Sequence, residues 1–279
     1  LSTVPGNEEQ GMKMRLKEML RGTVPEESLV KLPDGYHVVG EIAVLSLAPE
    51  LEDYKTEIAT ALLNQCNHIH TVLNKTSRLE GERRVARMEV LAGTGNTITT
   101  HKEFGFIYHL DVARVFFNSR LGSERMRVAA QVRAGEDVLV PFAGSGPFVV
   151  PIAARGARVV ALEKNREACL WLARNARQNR VEERIEVIHG DALHMAKLLK
   201  MDFDRVVSPT PYGLDQIAET ASQMVKPGGV LHFYTFKKRD QIEALRRGYE
   251  DMGLVVMQCR RCGNVSPGVS RWVFDMVKS

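Results

Sequence analysis

The stretch DVLVPFAGSGPFVVPIA, residues 137–153, decides the fold. It opens as an apolar run, Asp137–Val140, passes through a turn holding Gly144 and Gly146, and closes as an apolar helix. Strand, glycine turn and helix in that order begin a βαβ unit. The two glycines let backbone approach a ligand closely at the start of the helix, where unpaired N–H groups face outward. A nicotinamide-dinucleotide fingerprint requires a further glycine at 149. Val149 stands there, which disfavours a Rossmann dehydrogenase.

Downstream, RVVALEKN reads as a second strand and REACLWLARNARQNRV as a helix. RIEVIHGDA is a third strand, and FDRVVSPTPYG a fourth that stops at a proline turn. A helix to Val225, the turn Lys226–Gly229, the strand VLHFYTF, the helix DQIEALRRGYEDMG and two late strands complete the series. This alternation has the spacing of a parallel doubly wound sheet, so an α/β fold is predicted. Upstream, SRLGSERMRVAAQV carries a helix signal, and the texture changes at about Asn118. Before it lie a helix to Arg21 closed by Gly22, strands in GYHVVGEIAVLSLA, a helix over Leu51–Asn64 and the strand HIHTVLNK. β-rich segments then continue to Phe117. The reading is a loose tail over 1–11, a smaller α+β domain over 12–117 and the doubly wound domain over 118–279.

The 279 residues include 44% hydrophobic and 26% charged side chains, enough for a sizeable core and too many apolar residues for a disordered chain. No run approaches the roughly 18 apolar residues of a spanning helix, and no signal-peptide pattern opens the sequence. Cys66, Cys169, Cys259 and Cys262 are too few for a disulfide scaffold, so a reducing cytoplasm is expected. A net charge of +4 permits a nucleic-acid partner without arguing for one.

Two carboxylates follow the glycine turn at the next two strand ends. Glu163 closes VVALE, where a carboxylate accepts both hydroxyls of a ribose. Asp191 ends the third strand, where it takes an adenine amino group. Together with the backbone at Ala143–Gly146, they describe a nucleoside site without a pyrophosphate grip, and S-adenosylmethionine is such a ligand.

These residues resemble the class I methyltransferases. The closer similarity is to the archaeal and eukaryotic tRNA guanine-37 N1-methyltransferases and their wybutosine-synthesis relatives. It runs from about Val38 to the C-terminus through VGEIAVL, LEGERRVARMEVLAG, THKEFGFIYHLDVARVFFNSRLGSERMRV, FAGSGPFVVPIA and GGVLHFYTF, and VARVFFNSRLGSER is its specific part. The resemblance implies a Rossmann-like domain, S-adenosylmethionine, and methyl transfer to N1 of the guanine 3′ of the anticodon. That nitrogen carries a proton. A base must remove it, and a donor must hold the charge that grows on O6. The family assigns the base to Glu124 and the O6 contact to Arg84, and Arg120 matches the arginine near the methionine moiety. Phe142, Phe148, Lys164, Asn165, Ala192 and Ser208 complete the implied cofactor surroundings. Pro209, Thr210, Pro211 and Tyr212 form the implied substrate turn, with Tyr212 able to stack on a base. The partner implied is the anticodon arm of tRNA, and the chain is expected to act as a monomer without a membrane.

The sequence departs from the family at three places. Val140-Pro141 replaces an acid at the end of the first strand. Ser208-Pro209-Thr210-Pro211-Tyr212 replaces a turn that carries an asparagine amide. Longer members also carry an N-terminal domain that grips the outer corner of the tRNA, for which these residues leave no room, so substrate choice is expected to rest on the anticodon arm. Two alternatives follow: a wybutosine-pathway 3-amino-3-carboxypropyl transferase, and a catalytically silent tRNA-binding relative. SRLGSER favours the methyltransferase, and the altered proline turn favours the other two. Cys259 and Cys262 form a lone CxxC without the further ligands of a zinc site. His68 and His70 read as solvated strand residues. Lys237–Arg239, Arg246–Arg247 and Arg260–Arg261 read as solvated surface, or as a phosphate track if they converge with Arg83, Arg84 and Arg87.

Overall fold

A computed structural model describes residues 16–33, 35–77 and 85–279. The chain divides into two units: residues 1–102 with 109–119, and residues 103–108 with 120–279.

The first unit holds a four-stranded sheet in the order β1-β2-β3-β4: His37–Val39, Ile42–Leu45, Thr71–Lys75 and Met88–Gly93. β2 and β3 are parallel, so the chain must cross over between them. Helix α1, Lys55–Gln65, makes the crossover and buries Ile58, Ala59 and Leu62. The sequence reading began this helix at Leu51. Residues Pro49–Tyr54 instead form a 3₁₀ turn, with the proline at its first position, where its missing N–H costs nothing. A hairpin follows, β5 (Ile98–Glu103) and β6 (Phe106–Asp111).

The second unit carries a seven-stranded sheet ordered β12-β13-β11-β10-β7-β8-β9. Its strands are β7 Asp137–Pro141, β8 Arg158–Glu163, β9 Ile185–His189, β10 Phe203–Ser208, β11 Val225–Lys237, β12 Leu254–Ser266 and β13 Val269–Lys278. Helices α2 (Gly122–Ala129), α3 (Val149–Ala153), α4 (Arg166–Gln178), α5 (Ile217–Gln223) and α6 (Ile242–Asp251) alternate with them. The core is dominated by Leu139, Leu162, Phe203, Val206, Leu231, Phe233 and Phe274.

The sheet is mixed, which the strand-helix spacing did not predict. β13 pairs antiparallel with both β11 and β12, because a tight turn after Ser266 sends the chain straight back between them. Lys226–Gly229, read as a turn before β11, lies inside the strand as a bulge. Pairing slips from Phe203–Val225 to Arg205–Val230, and Pro227 has no N–H for the ladder.

Strand order reverses between β7 and β10. β8 and β9 are added on one side of β7, and β10 and β11 on the other. At such a switch point the loops leaving the carboxyl ends of the strands open a crevice. The glycine turn, Glu163, Asp191 and the Ser208–Tyr212 turn all follow the carboxyl ends of these strands.

Candidate active site

The glycine turn is a constrained structure. Phe142 leaves β7 with φ +58, and Gly146 has φ +94. A Cβ on Gly146 would meet Leu172 of α4 at 3.2 Å, so the tight approach of turn and helix requires glycine. Asn175, buried on α4, donates its amide to the Ser145 carbonyl at 2.9 Å and pins the turn from behind.

Glu163 sits against the same turn. One carboxylate oxygen accepts the Gly144 N–H at 2.8 Å, and the other accepts the Asn165 N–H at 2.7 Å. Burial pushes this carboxyl above its usual range, and the backbone N–H groups of Asn165, Gly144 and Lys164 pull it part of the way back. Asn165 in turn caps α4 by accepting from the Glu167 N–H. The Glu163 carboxylate retains lone-pair capacity for a ribose hydroxyl, because these three backbone donors fill fewer than its roughly four acceptor sites. Asp191 caps the following 3₁₀ turn through the Leu193 N–H at 3.0 Å and pairs with Lys164 at 3.0 Å. Burial alone would raise the Asp191 carboxyl, but the Leu193 N–H and Lys164 together hold it below its usual range. The structure thus supplies partners for these two acids, and Val140 and Pro141 stay buried at the end of β7.

Glu124 lies on the first turn of α2, and Arg120 is exposed on the 3₁₀ turn before it. Glu124 makes no capping hydrogen bond. It is buried, and its carboxylate receives the Arg127 guanidinium at 2.8–3.1 Å and the Tyr234 hydroxyl at 2.7 Å. Arg260, partly exposed, reaches the second oxygen at 3.5 Å. Tyr234 also packs its ring on Phe148 of the glycine turn, centroids 5.4 Å apart. One side chain therefore joins Glu124 to the turn.

The charges continue inward. Arg127 also donates to Asp275, and Asp275 meets Nδ1 of His232 at 2.6 Å. Arg205 donates to Nε2 of that ring at 2.7 Å. Arginine can only donate, so Nε2 accepts and Nδ1 carries the hydrogen, leaving a neutral imidazole. Burial first, opposed by Asp275, holds His232 below the usual histidine range. Tyr234, Arg127, His232 and Asp275 were missed in the sequence reading. The available signal was two polar side chains, His232 and Tyr234, on one face of the apolar strand VLHFYTF.

The proline turn is closed upon itself. Ser208 and Thr210 are buried, their hydroxyls 2.9 Å apart, and Thr210 donates to the Ser208 carbonyl. What the turn presents to solvent is Tyr212, whose ring leans on Phe236 with centroids 5.6 Å apart, and Phe236 lies under the Arg271 guanidinium. Arg84, with Arg83, lies outside the described residues. Two of the cations considered for a phosphate track are engaged inside the fold, Lys237 with Asp215 and Arg260 with Glu124. Cys262 donates to the Arg271 carbonyl, and burial, then Glu124, push its thiol up to about 12.

Residues 99–253 match the family model of the TRM5/TYW2 methyltransferase domain, more than half of the chain. The chain belongs to the TRM5/TYW2 methyltransferase family. Residues 16–97 match the TYW2 N-terminal domain. The chain is 34% identical to the tRNA (guanine(37)-N(1))-methyltransferase Trm5b of Pyrococcus abyssi over 76% of its own length and 63% of that relative's. It thus spans less than two thirds of that relative. It is 31% identical to the tRNA(Phe) (4-demethylwyosine(37)-C(7)) aminocarboxypropyltransferase of Pyrococcus horikoshii, over 96% of this chain and 97% of that one. The structure of aTrm5 with tRNALeu superposes with a TM-score of 0.86 at 28% identity, covering 96% of this chain and 79% of that chain. The fold is accordingly the Rossmann-like one of the TRM5/TYW2 enzymes.

Proposed function

We propose that this protein transfers a methyl group from S-adenosylmethionine to N1 of guanine 37 in tRNA. The observation that carries the proposal is the continuous contact from the glycine turn through Phe148 and Tyr234 to Glu124. It sets a nucleoside cradle beside a carboxylate. When bound, S-adenosylmethionine supplies an electrophilic methyl group and leaves as the thioether.

The chain's own residues do the rest. The Ala143–Gly146 backbone and Glu163 hold the nucleoside, and Asp191 receives the adenine amino group. Arg120 orients the methionine end. Glu124 takes the N1 proton as N1 attacks, through the oxygen facing Arg260. That oxygen accepts from Arg127 Nε at 3.0 Å and meets Arg260 at 3.5 Å, whereas the other also takes the shorter bonds from Arg127 Nη2 and Tyr234. Tyr234 and Arg127 keep the carboxylate oriented. Arg84 is assigned to O6 from the family resemblance. Tyr212 is the turn's exposed base contact, because Ser208 and Thr210 are spent on each other.

A second reading is transfer of the 3-amino-3-carboxypropyl group to a modified guanine. It is favoured by the TYW2 N-terminal domain match, by near-complete alignment with an aminocarboxypropyltransferase, and by the proline turn without asparagine. Incubation with undermodified tRNA and doubly labelled S-adenosylmethionine separates the two. Methyl label in the RNA is expected, carboxyl label would establish the second reading, and neither label would leave a tRNA-binding protein.

Cofactor binding gives an independent expectation. Glu163→Ala removes the acceptor of a ribose hydroxyl and frees the Gly144 N–H. Calorimetry should show S-adenosylmethionine affinity lowered by ~1.5–3 kcal/mol, as for hydrogen bonds to a charged group. Unchanged affinity would remove Glu163 from the site.

A further inference from the structure

The hairpin tip between β5 and β6 is built at a cost in backbone strain. Its two central residues, Phe104 and Gly105, have φ +48 and φ +87. A turn with both central φ values positive ordinarily takes Asn-Gly or Asp-Gly, because a Cβ is unfavourable in the left-handed region. Phenylalanine is among the poorer choices there. Its ring is nevertheless 62% exposed and so recovers little of that strain by burial.

The ring is also held in place. Glu103 forms a buried ion pair with Arg125 of α2 and fastens the tip to that helix. A Cβ at Gly122 would lie 3.0 Å from the Phe104 ring and 2.9 Å from Glu103, so the ring edge rests on the bare backbone where α2 begins. Gly122 lies between Arg120 and Glu124. A fixed aromatic ring is therefore displayed at the helix start that carries both proposed site residues. Of the residues beside it in the chain, Lys102 and Gly105 are exposed and neither carries an apolar side chain, so the hairpin tip itself offers a single exposed ring. That is the size of a nucleobase and too small for a protein interface.

We propose that Phe104 is a stacking platform for an unpaired nucleobase of the RNA substrate, one flanking the target nucleotide. The proposal rests on the tRNA reading above. Base-on-aromatic stacking tolerates any base, and the exposed Lys102, two residues before Phe104, suits a flanking phosphate.

The test is Phe104→Asn, which installs the residue this turn prefers. It should melt at or above the wild-type temperature. In fluorescence anisotropy it should bind a tRNA transcript with guanine at 37 about 5–150-fold more weakly, the span that the loss of one base stack covers. Phe104→Trp should retain wild-type affinity. 2-Aminopurine placed at 36 or at 38 should be quenched by the wild type at one of these positions and not by Phe104→Asn. If the wild type binds no tRNA, the functional reading falls and the stacking proposal with it. If the wild type binds and Phe104→Asn binds equally well, or 2-aminopurine is quenched at neither position, only the stacking proposal is overturned. A lower melting temperature for Phe104→Asn also overturns it, since the ring would then be a packing element.

Discussion

Glutamine in place of Glu124 is expected to slow single-turnover methylation about 10²–10⁴-fold under saturating S-adenosylmethionine, the usual loss for a positioned base. The amide keeps the size and polarity of the side chain but cannot take the N1 proton. Affinity for tRNA should change little, because the proton moves only in the chemical step. The deficit should shrink as pH rises and hydroxide assists deprotonation. Arg127 retains Asp275 as a partner in this variant, so the fold should survive, as a melting curve will check. If Glu124→Gln methylates guanine 37 at the wild-type rate across the pH range, Glu124 is a member of the buried ion network alone. Catalysis would then need another base. The structure makes this a demanding test, since Arg127 and Tyr234 already occupy most of the carboxylate's acceptor capacity.

The sheet of the second unit was legible because its signals are local. Apolar strand runs, the glycine turn of 142–146 and the amphipathic helix Arg166–Gln178 each declare themselves within a few residues. Glu163 and Asp191 were legible for the same reason, as acids at the ends of consecutive strands. The surroundings of Glu124 were not. Its partner Tyr234 is 110 residues away, and Arg127 reaches Asp275 across 148 residues. Periodicity within α2 says nothing about which later strands will pack beside it. The closed proline turn was hidden differently. Ser208 was placed in the cofactor surroundings and Thr210 in the substrate turn, and only the three-dimensional turn shows their hydroxyls facing each other. The strain at Phe104 was within reach of the sequence, because a two-residue hairpin loop implies positive φ wherever its turn falls. It passed unread because Phe-Gly is not the expected turn pair.

Methionine in place of Arg127 is expected to destabilise the fold by ~3–5 kcal/mol at pH 7, the usual cost of leaving buried carboxylates without their cation. Arg127 bridges Glu124 and Asp275, both nearly inaccessible, so its loss leaves Glu124 with Arg260 at 3.5 Å as its cation and Asp275 with only the His232 N–H. The pH dependence separates this cause from lost packing. In the wild type, burial would raise Asp275, but His232 and Arg127 outweigh it and hold the carboxyl well below its usual range. A depressed carboxyl stabilises the fold above the unfolded value of about 4 and loses that contribution as pH falls further. His232 is depressed as well, so wild-type stability should already decline below about pH 6.5, where only the unfolded chain takes up the imidazole proton. The variant changes the Asp275 contribution. Without Arg127 only His232 opposes the burial of Asp275, so its carboxyl takes up a proton in the folded state at higher pH than in the wild type. The variant's deficit should therefore be largest near neutrality and narrow towards pH 4–5, as measured by urea denaturation across that range. A deficit that stays constant with pH would mean that Arg127 contributes its hydrocarbon stem and not its charge. The ion network around Glu124 would then be incidental to the fold.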